Sequence, residues 1–237
     1  MLKKFSGDSH PHLISLLATY EQFKSYYLIF HWAEADLLKY WTRVHPKPVV
    51  DRETVLWMAQ QCEGIADGLL KIHRYESHSL LHPNSAGRGN EGLSVPNLTE
   101  SGRKHHTPST SQLYGRHGDI KPQNVLWFRD PKNNNDRGTL KISDFGVVEF
   151  NTQNSRSAKL RSQVAKSPTY RPPECDLQGG AISRSYDIWT LGCLYLEFIT
   201  WILGGRELFI AFAKTRKTPD LWVNDVLADT FFEIVKV

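Results

Sequence analysis

Three side chains able to handle protons and metal ions stand in fixed order near the middle of the chain. They are Asp119, Asn124 five residues later, and Asp144 in a separate segment. An Asp can orient an attacking hydroxyl and take up its proton, and Lys121, two residues on, puts positive charge beside a transferring phosphoryl group. An amide and a carboxylate from two segments can hold Mg²⁺ against phosphate oxygens. Phosphoryl transfer from ATP needs such a set. Taken alone, Asp144-Phe145-Gly146 is a weak signal because Asp and Gly are common in turns, and Asp119 alone reads equally well as a turn carboxylate. The unbroken run His117-Gly118-Asp119-Ile120-Lys121-Pro122-Gln123-Asn124 is far more constrained.

The flanking segments suit the task of holding these groups still. Residues 125–128 follow the run and residues 140–142 precede Asp144; both are short apolar stretches that predict strands. Between them, residues 129–139 carry Pro131, three consecutive Asn and Gly138, and predict a turn-rich loop. Upstream, residues 13–18 and 26–30 predict two adjacent strands, and residues 32–41 have a helical pattern ended by Pro46 and Pro48. Asp51 predicts the N-cap of a long amphipathic helix with the apolar stripe Val55, Met58, Cys62, Ile65, Leu69 and Ile72. In residues 76–116, Ser, Gly, Asn, Pro and His dominate. Such a segment buries too little apolar surface to offset its ordering entropy, so a disordered insertion is expected. A Ser-rich basic loop at 151–166 leads to Ser167-Pro168-Thr169-Tyr170-Arg171-Pro172-Pro173-Glu174. An apolar helix then opens at Ser185-Tyr186-Asp187, where a buried carboxylate is costly unless it accepts hydrogen bonds.

Bulk composition permits one domain or two small lobes: 237 residues, 40% hydrophobic, with seven Trp and eleven Phe, is enough to bury a core. A net charge of +4 is mild and no basic block interleaves with aromatics, which argues against nucleic acid as a partner. Cys62, Cys175 and Cys193 are scattered and odd in number. Free thiols that serve packing are expected, in an intracellular compartment, cytoplasmic or nuclear. His78, His82, His105 and His106 match no familiar metal-ligand spacing and predict a solvated loop. The apolar run at 13–18 is too short for a signal peptide. Residues 188–203, the longest apolar stretch, contain Glu197 and fall short of the ~20 residues that cross a bilayer, so a core helix is expected and no membrane.

The run 117–124, the Asp144-Phe145-Gly146 segment, Tyr170-Arg171-Pro172-Pro173-Glu174 and Asp187-Ile188-Trp189 together resemble the catalytic region of the eukaryotic protein kinase family. The resemblance extends from about Leu13 to the C-terminus. It implies an α+β, protein-kinase-like fold, mostly the helical C-lobe with the last strands of the N-lobe. Residues 1–33 would be a remnant of the N-lobe and hinge, and 34–237 the C-lobe, interrupted at about 76–116. ATP and Mg²⁺ are the implied cofactors. The implied partner is a protein substrate with a Ser/Thr acceptor, because the Asp-x-Lys-Pro-x-Asn pattern is similar to that of Ser/Thr enzymes. By this resemblance Asp119 is the catalytic base, Lys121 the charge stabiliser, and Asn124 and Asp144 the metal ligands. Ile29 falls at the gatekeeper position, the backbone of Phe30 through Trp32 would contact adenine, and Leu126 would pack beneath its ring. Leu16, His117 and Phe145 fall at regulatory-spine positions, with Gly146 following. Ser167 falls where the family carries a hydroxyl bonded to the catalytic Asp and Lys. Glu174 closes the activation segment, and Asp187 would brace the catalytic loop through backbone N–H groups.

The chain also departs from the family pattern. Gly118 stands where Arg is usual, which removes the customary partner of a phosphorylated activation loop. No Gly-rich phosphate loop or strand Lys precedes Leu13, and no late helices or Arg partner for Glu174 follow the apolar helix. The expectation is a catalytic domain truncated at both ends and inactive as an isolated fragment. Two alternatives stay open. One is a pseudokinase or scaffold that binds through the lobe surface. The other is a small-molecule phosphotransferase resembling the aminoglycoside or choline kinases, which favour His-Gly-Asp here but not Lys121.

Overall fold

In a computed structural model of the chain, residues 10–74, 113–129, 132, 137–144, 149–152, 167–176, 182–219 and 227–233 are described. In chain order the elements are β1 (Leu16–Gln22), β2 (Ser25–Phe30), β3 (Ala35–Asp36), α1 (Leu37–Lys39, continued by a π-helical turn Tyr40–Val44) and α2 (Arg52–His73). There follow β4 (Leu113–Arg116), β5 (Val125–Phe128), β6 (Thr139–Ile142), β7 (Glu149–Thr152), α3 (Ser185–Thr215), β8 (Lys217–Pro219) and β9 (Leu227–Asp229).

The Asp51 carboxylate accepts the Thr54 N–H at 2.7 Å and opens α2. It thereby satisfies one of the donors that a helix start leaves unpaired. The buried face of α2 keeps Ile65, Leu69 and Ile72 of the apolar stripe and is rotated in its first half. It runs through Thr54, Trp57, Gln61, Ile65, Leu69 and Ile72, while Val55 is exposed and Met58 and Cys62 are half-buried. Polar groups with internal partners set this rotation. Gln61 Oε1 accepts the Leu140 N–H at 2.9 Å, and the Thr54 hydroxyl accepts from Arg137 at 2.6 Å. α2 is therefore stitched to β6 and to the loop before it.

The site-bearing sheet is antiparallel in the order β3-β5-β6. Val125 and Trp127 turn inward on β5, as do Leu140 and Ile142 on β6. Residues 10–14 run beside β6: Ile14 donates to the Ile142 carbonyl at 2.9 Å, and Ile142 donates to that of His12 at 2.8 Å. The helical pattern at 32–41 resolves differently from expectation. Residues 35–36 pair with β5, and Asp36 then caps α1 by accepting the Lys39 N–H at 2.8 Å. β1 and β2 form a hairpin through Phe23 and Lys24, both with positive φ (50° and 62°). That backbone suits a two-residue hairpin turn, although neither residue is a usual choice for it. Leu113–Arg116, the end of the segment expected to be disordered, forms β4 and pairs with β7. Residues 75–112, including the four histidines considered for metal binding, lie outside the described residues.

α3 extends well past the apolar stretch at 188–203. Gly205 interrupts it with φ 64° and ψ −160°, a backbone only Gly adopts readily, and the Arg206 N–H there donates to the Pro46 carbonyl at 2.7 Å. By length and composition alone α3 could cross a bilayer; half of its most apolar window is buried inside the fold. Its buried side chains Leu194, Phe198, Trp201, Ile202 and Phe209 join Trp41 and Trp57 in one core. Aromatic rings dominate this core, with Trp41 5.3 Å from Phe198 and Tyr40 5.6 Å from Trp201 between centroids. Cys62, Cys175 and Cys193 are free thiols. Burial pushes the first two up to about 11 and the third to about 12, so they pack as apolar groups.

Candidate active site

The loop between β4 and β5 is pinned before it carries any chemistry. Gly118 has φ 79°, which turns its N–H and that of His117 toward the same point. Both donate to the Asp187 carboxylate, His117 to Oδ2 and Gly118 to Oδ1, each at 2.7 Å. Asp187 lies in the first turn of α3 with no exposed surface, and its Oδ2 also accepts from His73 Nε2 at 2.8 Å. Three donors thus compensate a carboxylate that would be very costly to bury alone. The His117 ring joins the two site segments. Its Nε2 donates to the Ser143 carbonyl at 2.9 Å, and its Nδ1 faces the Asp119 N–H at 3.3 Å. Burial pushes the pKa of His117 down, against the nearby carboxylates of Asp187, Asp119 and Asp144, which fits this neutral tautomer.

Around Asp119 the side chains form a closed set. Asp119 is 5% exposed. Its Oδ2 accepts from Lys121 Nζ at 2.7 Å and from Asn124 Nδ2 at 2.9 Å, and its Oδ1 accepts from the Ser167 hydroxyl at 2.8 Å. Lys121 Nζ also donates to Ser167 Oγ at 2.8 Å. Asn124 Nδ2 donates as well to the Asp119 carbonyl at 2.8 Å, so the amide oxygen Oδ1 is the atom turned away from Asp119. The local sequence explains how these groups converge. Pro122 starts a single 3₁₀ turn, Pro122–Asn124, whose Asn124 N–H closes on the Lys121 carbonyl at 2.9 Å. The Asn124 carbonyl then accepts the Ser143 N–H at 2.8 Å and its hydroxyl at 2.9 Å, fixing the segment that carries Asp144.

Asp144 follows β6 with φ 59° and an exposed side chain. A non-Gly residue in this region carries strain, of the kind stored where a side chain must be aimed. Phe145 and Gly146 lie outside the described residues. On the expected adenine side, Phe30 and Leu126 are partly buried against the core, Ile29 is exposed on β2, and Trp32 is 86% exposed. Glu174 sits in another 3₁₀ turn, Pro173–Cys175, with the Ser185 hydroxyl 3.5 Å away, at the outer limit of a hydrogen bond.

Several participants are not evident from the motifs. His73 ends α2 and reaches Asp187 across 114 residues of sequence; the chain gives no local signal of that contact beyond a His at the end of a helical pattern. Tyr170 donates to Glu197 Oε2 at 2.8 Å, and Arg216 Nη2 donates to Glu197 Oε1 at 3.1 Å. Among the described residues, no group of three or more His, Cys, Asp or Glu side chains is placed to hold a metal by itself.

Residues 115–211 match the family model described as the protein kinase domain. The chain is 36% identical over 120 residues to "Cyclin-dependent kinase 8" of Drosophila melanogaster, covering 50% of this chain and 24% of that protein. It is 42% identical over 84 residues to "CTD kinase subunit alpha" of Schizosaccharomyces pombe, covering 35% of this chain and 13% of that protein. The chain therefore spans a quarter or less of these curated relatives.

Proposed function

We propose, on the premise that the chain belongs to the eukaryotic Ser/Thr protein kinase family, that it carries out in-line transfer of the ATP γ-phosphoryl to a Ser or Thr hydroxyl of a protein. The observation that carries this reading is the hydrogen-bonded set of Asp119, Lys121, Asn124 and Ser167. Asp119 orients the acceptor hydroxyl and takes its proton, and Lys121 offsets charge building on the phosphoryl oxygens. The oxygen donors of the site are of the kind Mg²⁺ takes: one amide oxygen, turned away from Asp119, and the exposed carboxylate of Asp144. Mg²⁺ takes oxygen ligands and commonly relies on one or two protein groups plus substrate phosphates. When bound it would neutralise phosphate charge. Phe30, Trp32 and Leu126, with Ile29 beside them, are the proposed contacts for adenine. The free thiols support an intracellular setting.

The test is transfer of labelled phosphoryl from Mg-ATP to a Ser/Thr peptide, with Asp119→Asn and Asp144→Ala as comparisons. The reading requires loss of transfer in the first with folding intact, and loss of Mg-dependent nucleotide affinity in the second. Retained turnover by Asp119→Asn would sink it. Residues 1–33 contain no Gly-rich phosphate loop, so weak turnover is expected from residues 1–237 assayed alone. Absence of Mg-ATP binding would favour a second reading, a binding scaffold.

A further inference from the structure

We propose that Arg216 is a positioning residue for the acceptor side of the catalytic loop, acting through Glu197 and Tyr170 on the turn that carries Ser167. The inference rests on the phosphotransferase reading for what that turn is used for. Its geometry stands independently.

Arg216 follows the last residue of α3 and is held from three sides. Its Nε donates to Asp229 Oδ1 at 2.9 Å, its Nη2 donates to Glu197 Oε1 at 3.1 Å, and its guanidinium lies over the rings of Phe231 and Phe212, at 4.1 and 4.5 Å from their centroids. Among the described residues Nη1 has no hydrogen-bond partner, and the ring faces contribute cation–π attraction to the guanidinium. Glu197, 1% exposed in the middle of α3, turns its other oxygen to the Tyr170 hydroxyl at 2.8 Å. Tyr170 is itself buried and packs 5.8 Å from the Phe231 ring.

The route from Tyr170 to the reacting groups is one turn of backbone. Pro168–Tyr170 is a 3₁₀ turn whose Tyr170 N–H closes on the Ser167 carbonyl at 3.2 Å. Ser167 then donates to Asp119 and accepts from Lys121. Fixing the Tyr170 ring therefore fixes where Ser167 lies against the base. Without Arg216, Glu197 would be a buried carboxylate with Tyr170 as its remaining hydrogen-bond donor, an arrangement that neither holds its geometry nor stays ionised easily. β8 and β9 present Asp229 to Arg216, so a ribbon far from the catalytic loop in sequence steadies the wall the acceptor meets.

Hydrogen–deuterium exchange of the peptide spanning residues 167–176 tests this without nucleotide or turnover. Four amides of that peptide, Tyr170, Arg171, Cys175 and Asp176, close the two turns. Arg216→Met keeps the apolar stem and removes the charge. It is expected to speed exchange there about tenfold, the lower end of what losing a charge-assisted hydrogen bond yields, with α2 amides unchanged. Tyr170→Phe should do the same, and the double variant should add nothing further, because both cut one route. A merely structural role would give additive effects spread over the fold. Unchanged exchange at 167–176 in Arg216→Met, or additive effects in the double variant, would overturn the proposal. Should Arg216→Met fail to fold, Asp229→Asn cuts the other anchor. Faster exchange at 167–176 is then expected, and no change would count equally against the idea. Where the parent chain transfers phosphoryl, Arg216→Met should alter acceptor KM or kcat and leave nucleotide KM alone. Where it does not, the exchange result still decides the positioning claim separately from the kinase reading.

Discussion

Gly118 shows how one residue can serve backbone geometry and chemistry together. Its φ of 79° points two successive N–H groups at Asp187, a left-handed backbone that Gly adopts at no steric cost. Gly118→Ala should cost about 1–2 kcal/mol for a left-handed backbone, read as a lowered midpoint in urea unfolding. An unchanged midpoint would mean that the loop re-forms another way. Asp187 carries the complementary risk. Asp187→Ala leaves the two loop N–H groups and His73 facing an empty site, and a loss of about 3–5 kcal/mol is expected. Native-level stability in that variant would show that water replaces the carboxylate without penalty. Neither change touches Asp119, Lys121 or Asn124. Any loss of transfer beyond the lost stability would therefore measure how far the brace positions the base.

At the scale of elements, α2 is where the physical reason for each contact is clearest. Gly64 lets residues 10–14 lie against it, since a Cβ there would stand 2.1 Å from His12 Nε2. Gly64→Ala should push the His12 ring away and break its 2.7 Å hydrogen bond to the Leu140 carbonyl. The expected cost is about 1–3 kcal/mol, with exchange of the Ile14 and Ile142 amides rising before that of the helix. If those amides keep their protection, the ring has simply swung aside. The same element shows what sequence could and could not reveal. Asp51 as N-cap was legible because a cap is a local chemical event. The strands at 125–128 and 139–142 were legible because apolar runs bounded by turn residues are also local. On α2 the core positions Ile65, Leu69 and Ile72, with Met58 and Cys62 packed beside them, were legible from spacing, whereas Thr54 and Gln61 look polar until their long-range partners, Arg137 and Leu140, are known. The turn at Phe23 and Lys24 carried no Gly or Asn to announce it. In the site, the members of the 117–124 run were readable from their spacing. His73, Glu197 and Arg216 were not, since each is defined by a contact across the fold rather than by its neighbours in the chain.

For the whole molecule, buried titrating groups set opposing pH dependences, and Glu197 is the one whose sign separates function from stability. Burial pushes His12 and His45 down from 6.5. The folded state then binds fewer protons than the unfolded one, so their contribution is present above about pH 6.5 and is lost as pH falls through the lowered values. Glu197 runs the other way. Burial raises it from 4.5 to about 7, outweighing the pull of Tyr170 and Arg216 toward the ionised form; Asp229 adds to the rise, and the Cys193 thiol also feels the Glu197 charge. The contribution of its protonated form is whole below about 4.5 and is lost as pH rises through 7, a difference of about 3 kcal/mol. Glu197→Gln mimics the protonated form at every pH. Its stability relative to the parent should therefore be near level at pH 4.5, climb with pH and flatten above 7, as followed by urea unfolding at pH 5, 6, 7 and 8. A difference that does not change with pH would show that Glu197 titrates normally and carries no burial cost. If the climb is found, the parent chain gives up stability at neutral pH to keep a carboxylate at this place. Its two oxygens reach the turn behind Ser167 and the Arg216 clamp, which gives a functional reason for a charge that a stability argument alone would replace with an uncharged group.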